Sequence, residues 1–104
     1  MTSKKRITVY DTTLRDGNQA LGITLSSADK LHIADRLADL GLHYIEGGWP
    51  TPDNEVDLAF FADAARRPYR DRIVAFGSTR RKKTSCAKDP LVAALVKTGT
   101  RAVT

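Results

Sequence analysis

The sequence predicts an α/β domain built on a parallel sheet. Strand-like segments begin near residues 7, 42, 72 and 101 of the 104-residue chain, at intervals of 35, 30 and 29 residues. Each of the three intervals has the length of a strand–helix–strand unit with a right-handed crossover. Hydrophobic residues make up 41% of the chain and charged residues 28%, which is the composition of a soluble globular domain.

The predicted strands are short and apolar. In the first, Ile7 and Val9 alternate with polar residues, the period of two that is typical of a strand. Residues 42–46 and 72–76 form the second and third strands, and residues 101–104 begin a fourth. The third is the most continuously apolar, so we expect it to be covered on both faces.

The first predicted helix has clear ends. Ser26 or Ser27 is a good N-cap, and Gly41 follows the last helical residue, at about Leu40. Its expected apolar stripe consists of Ile33, Leu37 and Leu40, flanked by Ala34 and Ala38.

Proline residues are expected to open the two later helices. Thr51-Pro52 places proline at the first position of the second helix, which Pro68 bounds. The expected buried side chains of that helix are Val56, Ala59, Phe60 and Ala64. Asp89-Pro90 starts the third helix, which runs to about Thr98.

The charge and cysteine content limit the class of protein. The net charge is +5, and its densest stretch, residues 80–83, is interpreted first as a solvated face and second as a contact for an acidic substrate or a coenzyme phosphate. That stretch has no aromatic residues for base stacking, so we do not expect nucleic-acid binding. The single Cys86 fits a reducing cytosol. The sequence has no apolar run of membrane-spanning length, and the basic N-terminus lacks the apolar stretch of a secretory signal.

Polar motifs follow successive strands. Residues 10–19 read Tyr-Asp-Thr-Thr-Leu-Arg-Asp-Gly-Asn-Gln and are followed, after ten residues, by Lys30. Residues 44–50 read Tyr-Ile-Glu-Gly-Gly-Trp-Pro, and residues 75–81 read Ala-Phe-Gly-Ser-Thr-Arg-Arg. A barrel would gather these strand ends around one mouth. An open Rossmann-type sheet is the competing arrangement, but no Gly-x-Gly-x-x-Gly follows the first strand.

These three motifs resemble the 2-isopropylmalate, homocitrate and citramalate synthase family of metal-dependent TIM-barrel acyltransferases, and its citramalate synthase branch most closely. The resemblance covers nearly the whole chain. It implies a partial TIM (β/α)8 barrel, with three βα units and the start of a fourth strand, in which residues 1–104 are the N-terminal part of an incomplete catalytic domain. The resemblance also implies a cytoplasmic enzyme that is a homodimer at full length.

The resemblance assigns a role to each matched residue. Asp16 would bind a divalent metal, Mg²⁺ or Mn²⁺, whose remaining ligands, a His-x-His pair in the family, lie outside this sequence. Arg15 would stabilise negative charge on the reacting oxygen, and Glu46 would belong to the acid–base or substrate-orienting machinery. Gln19 and Thr79 would contact the substrate. The only histidines, His32 and His43, are not expected to bind metal.

The implied reaction condenses acetyl-CoA with a 2-oxo acid. Pyruvate, giving citramalate in branched-chain amino-acid biosynthesis, is the first choice of acceptor, and 3-methyl-2-oxobutanoate, giving 2-isopropylmalate, is the second. A carbon–carbon lyase of the same superfamily and a basic, non-catalytic binding fragment stay open. We expect the chain alone to be inactive and to be poorly folded or self-associated.

Overall fold

The computed structural model describes residues 4–104. The basic N-terminus, in which we expect no secretory signal, therefore lies partly outside the described residues. Four strands and three α-helices alternate along the chain: β1 (Tyr10–Asp11), α1 (Ser27–Asp39), β2 (Tyr44–Gly48), α2 (Glu55–Ala64), β3 (Ile73–Ala75), α3 (Pro90–Lys97) and β4 (Ala102–Val103). Short 3₁₀ turns cover Gly17–Gln19, Arg70–Arg72 and Cys86–Lys88.

The sheet is parallel throughout, and its strands lie side by side in the order β1-β2-β3-β4. This sequential order is the one that a (β/α) barrel uses, and it differs from the 3-2-1-4 order of a Rossmann sheet. The predicted α/β class with a parallel sheet is therefore confirmed. Among residues 4–104, no helix is both long and apolar enough to cross a bilayer.

One face of the sheet is covered by the helices. Alternate strand residues, Ile45 on β2 with Ile73 and Ala75 on β3, pack against Ala34 of α1 and against α2. The contribution of α2 to this core consists of Phe60, Phe61 and Ala64. Because side chains alternate across a strand, Glu46 and Phe76 belong to the other face, where the predicted chemistry lies.

Helix α1 begins and ends as predicted. The Ser26 hydroxyl accepts a hydrogen bond from the Asp29 amide, and the Asp29 carboxylate accepts one from the Ser26 amide, which is a complete capping box. Ala34 is buried in its stripe, and Ile33 and Leu37 pack against the core. The prediction was wrong for Leu40, which is 76% exposed because it follows the last helical residue.

Helix α2 begins later than predicted. Pro52 precedes the helix, because the Asn54 side chain caps the Asp57 amide and fixes Glu55 as the first helical residue. The inward stripe of the helix consists of Asp57, Phe60, Phe61 and Ala64, so Val56 and Ala59, predicted to be buried, lie outside it and are exposed. Helix α3, by contrast, has the predicted Asp89 cap and Pro90 start.

The strands are shorter than predicted or shifted along the chain. Strand β1 is confined to Tyr10–Asp11, beyond the predicted Ile7 and Val9, because pairing with β2 begins where Tyr10 lies opposite Tyr44. Strand β2 extends through the two glycines to Gly48, and its register with β3 shifts between Glu46 and Gly48. This irregularity lies directly beside a predicted site residue.

Candidate active site

The turn after β1 positions the first motif. The Thr12 carbonyl accepts hydrogen bonds from the amides of Arg15 and Asp16, at 3.2 and 2.8 Å. Upstream, the Asp11 carboxylate accepts from both the amide and the hydroxyl of Thr13, at 2.9 Å each. The resulting tight turn buries Leu14 completely in the core and directs Arg15 back over the sheet.

Glu46 is the centre of a buried hydrogen-bond network. It is only 3% exposed, at the sheet face opposite the helices. Arg15 Nε donates to its Oε1, and the Tyr10 hydroxyl donates to its Oε2. The Thr104 hydroxyl also donates to Oε2, at 3.2 Å. Three donors from β1, the following turn and the end of the fourth strand thus converge on one carboxylate.

This network determines the environment of Arg15. Besides Glu46, its guanidinium contacts Asp16, with Nη1 lying 3.1 Å from Oδ1. One face of the guanidinium lies over the Phe76 ring, with the central carbon 3.8 Å from the ring centre. The pKa of Arg15 is raised above its ordinary value, chiefly by the hydrogen bond to Glu46. Arg15 is therefore a fixed, permanent cation at the end of β1.

Tyr10 is held in its neutral form by the same carboxylate. Burial and then the hydrogen bond to Glu46 raise the pKa of Tyr10 to about 12. A phenol with so high a pKa keeps its proton at every physiological pH and donates a hydrogen bond to Glu46. Its hydroxyl also lies 3.4 Å from the Thr104 hydroxyl, so the three oxygens form one cluster.

Aromatic rings form one wall beside Arg15. Trp49 meets Phe76 edge to face, with 5.4 Å between ring centres. Trp49 is 37% exposed, so this contact lies at the protein surface. The predicted polar site therefore has an apolar neighbour contributed by the ends of β2 and β3.

Asp16 has the chemistry of a metal ligand without a complete ligand set. Its carboxylate is 54% exposed, and such hard oxygen atoms suit Mg²⁺ or Mn²⁺. Within residues 4–104, no group of three acidic, histidine or cysteine side chains could hold a metal ion. His43 accepts a hydrogen bond from the Val9 amide at the start of β2, and His32 is exposed on α1. Asp16 can thus contribute one ligand to a shared site.

Two predicted substrate contacts stay apart from this network. Gln19 and Thr79 are both exposed, and neither side chain hydrogen-bonds to Arg15, Asp16 or Glu46 in the part of the chain that is described. The basic residues 80–83 are exposed too. Asp89 anchors their segment by accepting from the Arg81 amide at 2.7 Å, and this bond is the main reason why the pKa of Asp89 is lowered.

The sequence predicted Arg15, Asp16 and Glu46 as site residues, and the structure brings them together, but the sequence did not predict the partners that hold them. Tyr10 and Phe76 were inside the quoted motifs, where only their strand-end positions hinted at a role. Thr104 is 58 residues from Glu46 and carried no signal. Its contact depends on the pairing of β4 with β3, which places the fourth strand end beside the others.

Comparison with known proteins assigns this chain to a family. Residues 6–103 match the HMGL-like family. The chain is similar to the (R)-citramalate synthases of Aquifex aeolicus (46% identical, 96% of this chain), Synechocystis sp. (48%, 99%) and Geobacter sulfurreducens (50%, 80%). It spans only 19%, 19% and 16% of these relatives. Homocitrate and 2-isopropylmalate synthases also match. The chain, with its Arg15–Glu46 network at the strand ends, belongs to the HMGL-like family.

Proposed function

We propose that residues 1–104 form the first part of a TIM-barrel catalytic domain that condenses acetyl-CoA with a 2-oxo acid. The observation that carries the proposal is the meeting of Arg15, Asp16 and Glu46 at the ends of β1 and β2. The similarity to (R)-citramalate synthases over nearly the whole chain supports it, and so does the barrel-type strand order. The rest of the barrel would come from chain beyond these 104 residues.

The proposed reaction forms a carbon–carbon bond. The methyl carbon of acetyl-CoA loses a proton to a base that the rest of the barrel would supply and attacks the oxo carbon of the acceptor, whose carbonyl oxygen takes up the electron pair and is then protonated. Water next hydrolyses the thioester and releases the coenzyme A thiol. A divalent metal, when bound, supplies Lewis-acid polarisation of the oxo acid. Asp16 would be one of its ligands.

Arg15 would stabilise the negative charge that develops on the acceptor oxygen. Glu46 and Phe76 fix the guanidinium before substrate binds, so no reorganisation is needed when charge appears. Because Glu46 already accepts from Tyr10, Arg15 and Thr104, we assign it to orienting Arg15 rather than to proton transfer. Gln19 and Thr79 stay proposed substrate contacts, to be met by an incoming ligand.

Pyruvate is the proposed acceptor. The citramalate synthase relatives match 80–99% of the chain at 46–50% identity, whereas a 2-isopropylmalate synthase matches 48% of it. The Trp49–Phe76 wall beside Arg15 also favours an acceptor with a small apolar end. The larger 3-methyl-2-oxobutanoate is the second candidate.

A hybrid enzyme tests the proposal. In it, residues 1–104 replace the matching segment of the Aquifex aeolicus (R)-citramalate synthase, which is 46% identical. We expect the hybrid to release coenzyme A from acetyl-CoA in the presence of pyruvate and Mn²⁺ or Mg²⁺. The parent enzyme is the positive control. A folded hybrid with no thiol release, whichever 2-oxo acid is supplied, would refute the proposed function.

A further inference from the structure

The most unusual side chain of the core is a lysine. Lys30 of α1 has no exposed surface, and its ammonium donates a hydrogen bond to the Asp57 carboxylate of α2. Asp57 itself is 6% exposed. A fully buried lysine is rare unless it is paired, because desolvation of the charge is costly. Such a pair is weak evidence for stability, since apolar residues of similar volume would often serve as well. What the pair contacts indicates another role.

The pair holds the peptide groups of Trp49. Asp57 uses Oδ1 for Lys30 and Oδ2 for the Trp49 amide, which donates at 2.9 Å. Asn54 completes the arrangement, because its side-chain amide donates to Asp57 Oδ2 and to the Trp49 carbonyl, at 3.0 Å each. Both the amide and the carbonyl of Trp49, the residue that follows β2, are thus hydrogen-bonded. Lys30 supplies the charge that allows the carboxylate to be buried there.

Two glycines allow this close approach. Gly48 has φ +150°, and a Cβ at this position would overlap Asp57 Oδ2 and lie 2.7 Å from Lys30 Nζ. A Cβ at Gly47 would overlap the ring of Phe60. The register shift between Glu46 and Gly48 lies at the same point, and the Gly48 carbonyl accepts from the Phe76 amide at 3.0 Å. The buried pair therefore lies directly behind the segment that carries Glu46 and Trp49.

We propose that Asp57 is a positioning residue, which holds the end of β2 through its hydrogen bond to the Trp49 amide so that Glu46 and the Trp49 ring keep their places in the active site, and that Lys30 serves it by neutralising its buried charge. They act through the backbone of residues 46–49 and touch neither substrate nor metal. The expected effect on catalysis rests on the proposed function. The expected effect on the position of the backbone at residues 46–49 is independent of it.

Two double variants of the hybrid enzyme isolate the critical hydrogen bond. Lys30→Met with Asp57→Asn removes both charges but keeps a carbonyl oxygen for the Trp49 amide. Lys30→Met with Asp57→Leu removes both charges and that oxygen. Amide hydrogen exchange, measured by mass spectrometry of a peptide covering residues 47–54, shows how strongly the Trp49 amide is protected. A peptide from α3 is the internal control, and melting temperatures show that both variants are folded.

We expect the asparagine variant to keep slow Trp49 exchange and near-normal kcat. In the leucine variant, the Trp49 amide should exchange faster, and kcat should fall on the order of a hundredfold, the usual cost of a small misplacement of reacting groups. KM for the oxo acid should change less. Slow exchange and normal kcat in the leucine variant would overturn the proposal, as would equal losses in both. If the unaltered hybrid is inactive, the proposed function fails, and the exchange result alone decides whether the pair positions β2.

Discussion

The guanidinium carbon of Arg15 lies 3.8 Å from the centre of the Phe76 ring, while its Nε donates to Glu46. Stacking and hydrogen bonding both depend on a planar group, which lysine lacks. We therefore expect Arg15→Lys in the hybrid enzyme to lower kcat about a hundredfold or more, as loss of one oxyanion donor does. Steady-state kinetics with pyruvate measure this effect.

The exposed Arg66→Lys serves as the matched control for that change. Metal should still bind in Arg15→Lys, since Asp16 keeps its carboxylate and a positive charge stays at position 15. Turnover equal to that of the unaltered hybrid would remove the role assigned to Arg15.

Asp16→Asn should weaken metal binding and nearly abolish turnover. The amide oxygen lacks the charge with which a carboxylate binds a hard cation. Mn²⁺ titration of the hybrid, followed by electron paramagnetic resonance, measures affinity separately from activity. Asp63→Asn, on the exposed side of α2, is the control. Unchanged Mn²⁺ affinity in the Asp16 variant would exclude this residue as a ligand.

Tyr10 gives stability a specific dependence on alkaline pH. Its pKa is raised in the folded protein to about 12, from an ordinary 10.0. The unfolded chain therefore loses this proton first, so the contribution of Tyr10 to stability is complete below pH 10 and is lost as the pH rises to 12. Urea unfolding should show that the free energy of unfolding declines less between pH 9 and pH 11 in Tyr10→Phe than in the unaltered protein. Parallel declines would contradict the raised pKa of Tyr10 in the folded protein.

Trp49 should influence the choice of acceptor. Its ring packs edge to face against Phe76, over which Arg15 lies, and replacing it with leucine would open space there. We expect Trp49→Leu to raise the ratio of kcat/KM for 3-methyl-2-oxobutanoate to that for pyruvate by about tenfold, the usual value of a methylene group or two in an apolar pocket. Competition between the two acids measures the ratio directly. An unchanged ratio would show that the acceptor binds elsewhere.

The isolated 104-residue chain should self-associate and lack synthase activity. Strands β1 and β4 each pair on one side only among the described residues, and open edges present unpaired amides and carbonyls. Val9, which directly precedes β1, and Val103 of β4 are 47% and 52% exposed. Sedimentation velocity should therefore show dimers or larger species. Val9→Lys with Val103→Lys should shift them toward monomer, because edge charges oppose pairing.

Two outcomes would contradict these expectations. A monodisperse monomer whose strand amides resist exchange would show that the open edges are harmless. Metal-dependent release of coenzyme A by the isolated chain would show that the remaining barrel is dispensable.

Local signals predicted the helices better than the strands. Ser26 and Asp89 identify the starts of α1 and α3 because capping depends on residues only a few positions away. The extent of β1 depends instead on where β2 pairs with it, 34 residues along the chain, and that register leaves no local trace. The start of α2 was missed because the Asn54 cap outweighed the preference of Pro52 for a first turn.

The same contrast between local and long-range signals applies to the candidate site. The motifs predicted Arg15 and Glu46 as neighbours in function, and the structure shows them hydrogen-bonded. Lys30 could not be interpreted alone, since a lysine on a helix is usually exposed, and only its contact with Asp57 explains its burial. Contacts between distant residues need the three-dimensional register of the whole sheet.

The order of the strands in the sheet also bears on how the protein is made. Each strand pairs with the one that precedes it in the chain, so every new strand emerging from the ribosome meets a partner that is already synthesised. The Arg15–Glu46 contact becomes available once β2 has emerged, whereas the Thr104 bond to Glu46 must wait for β4. The hydrogen-bond cluster around Glu46 would thus be assembled stepwise during translation, with its last hydrogen bond marking the arrival of the fourth strand.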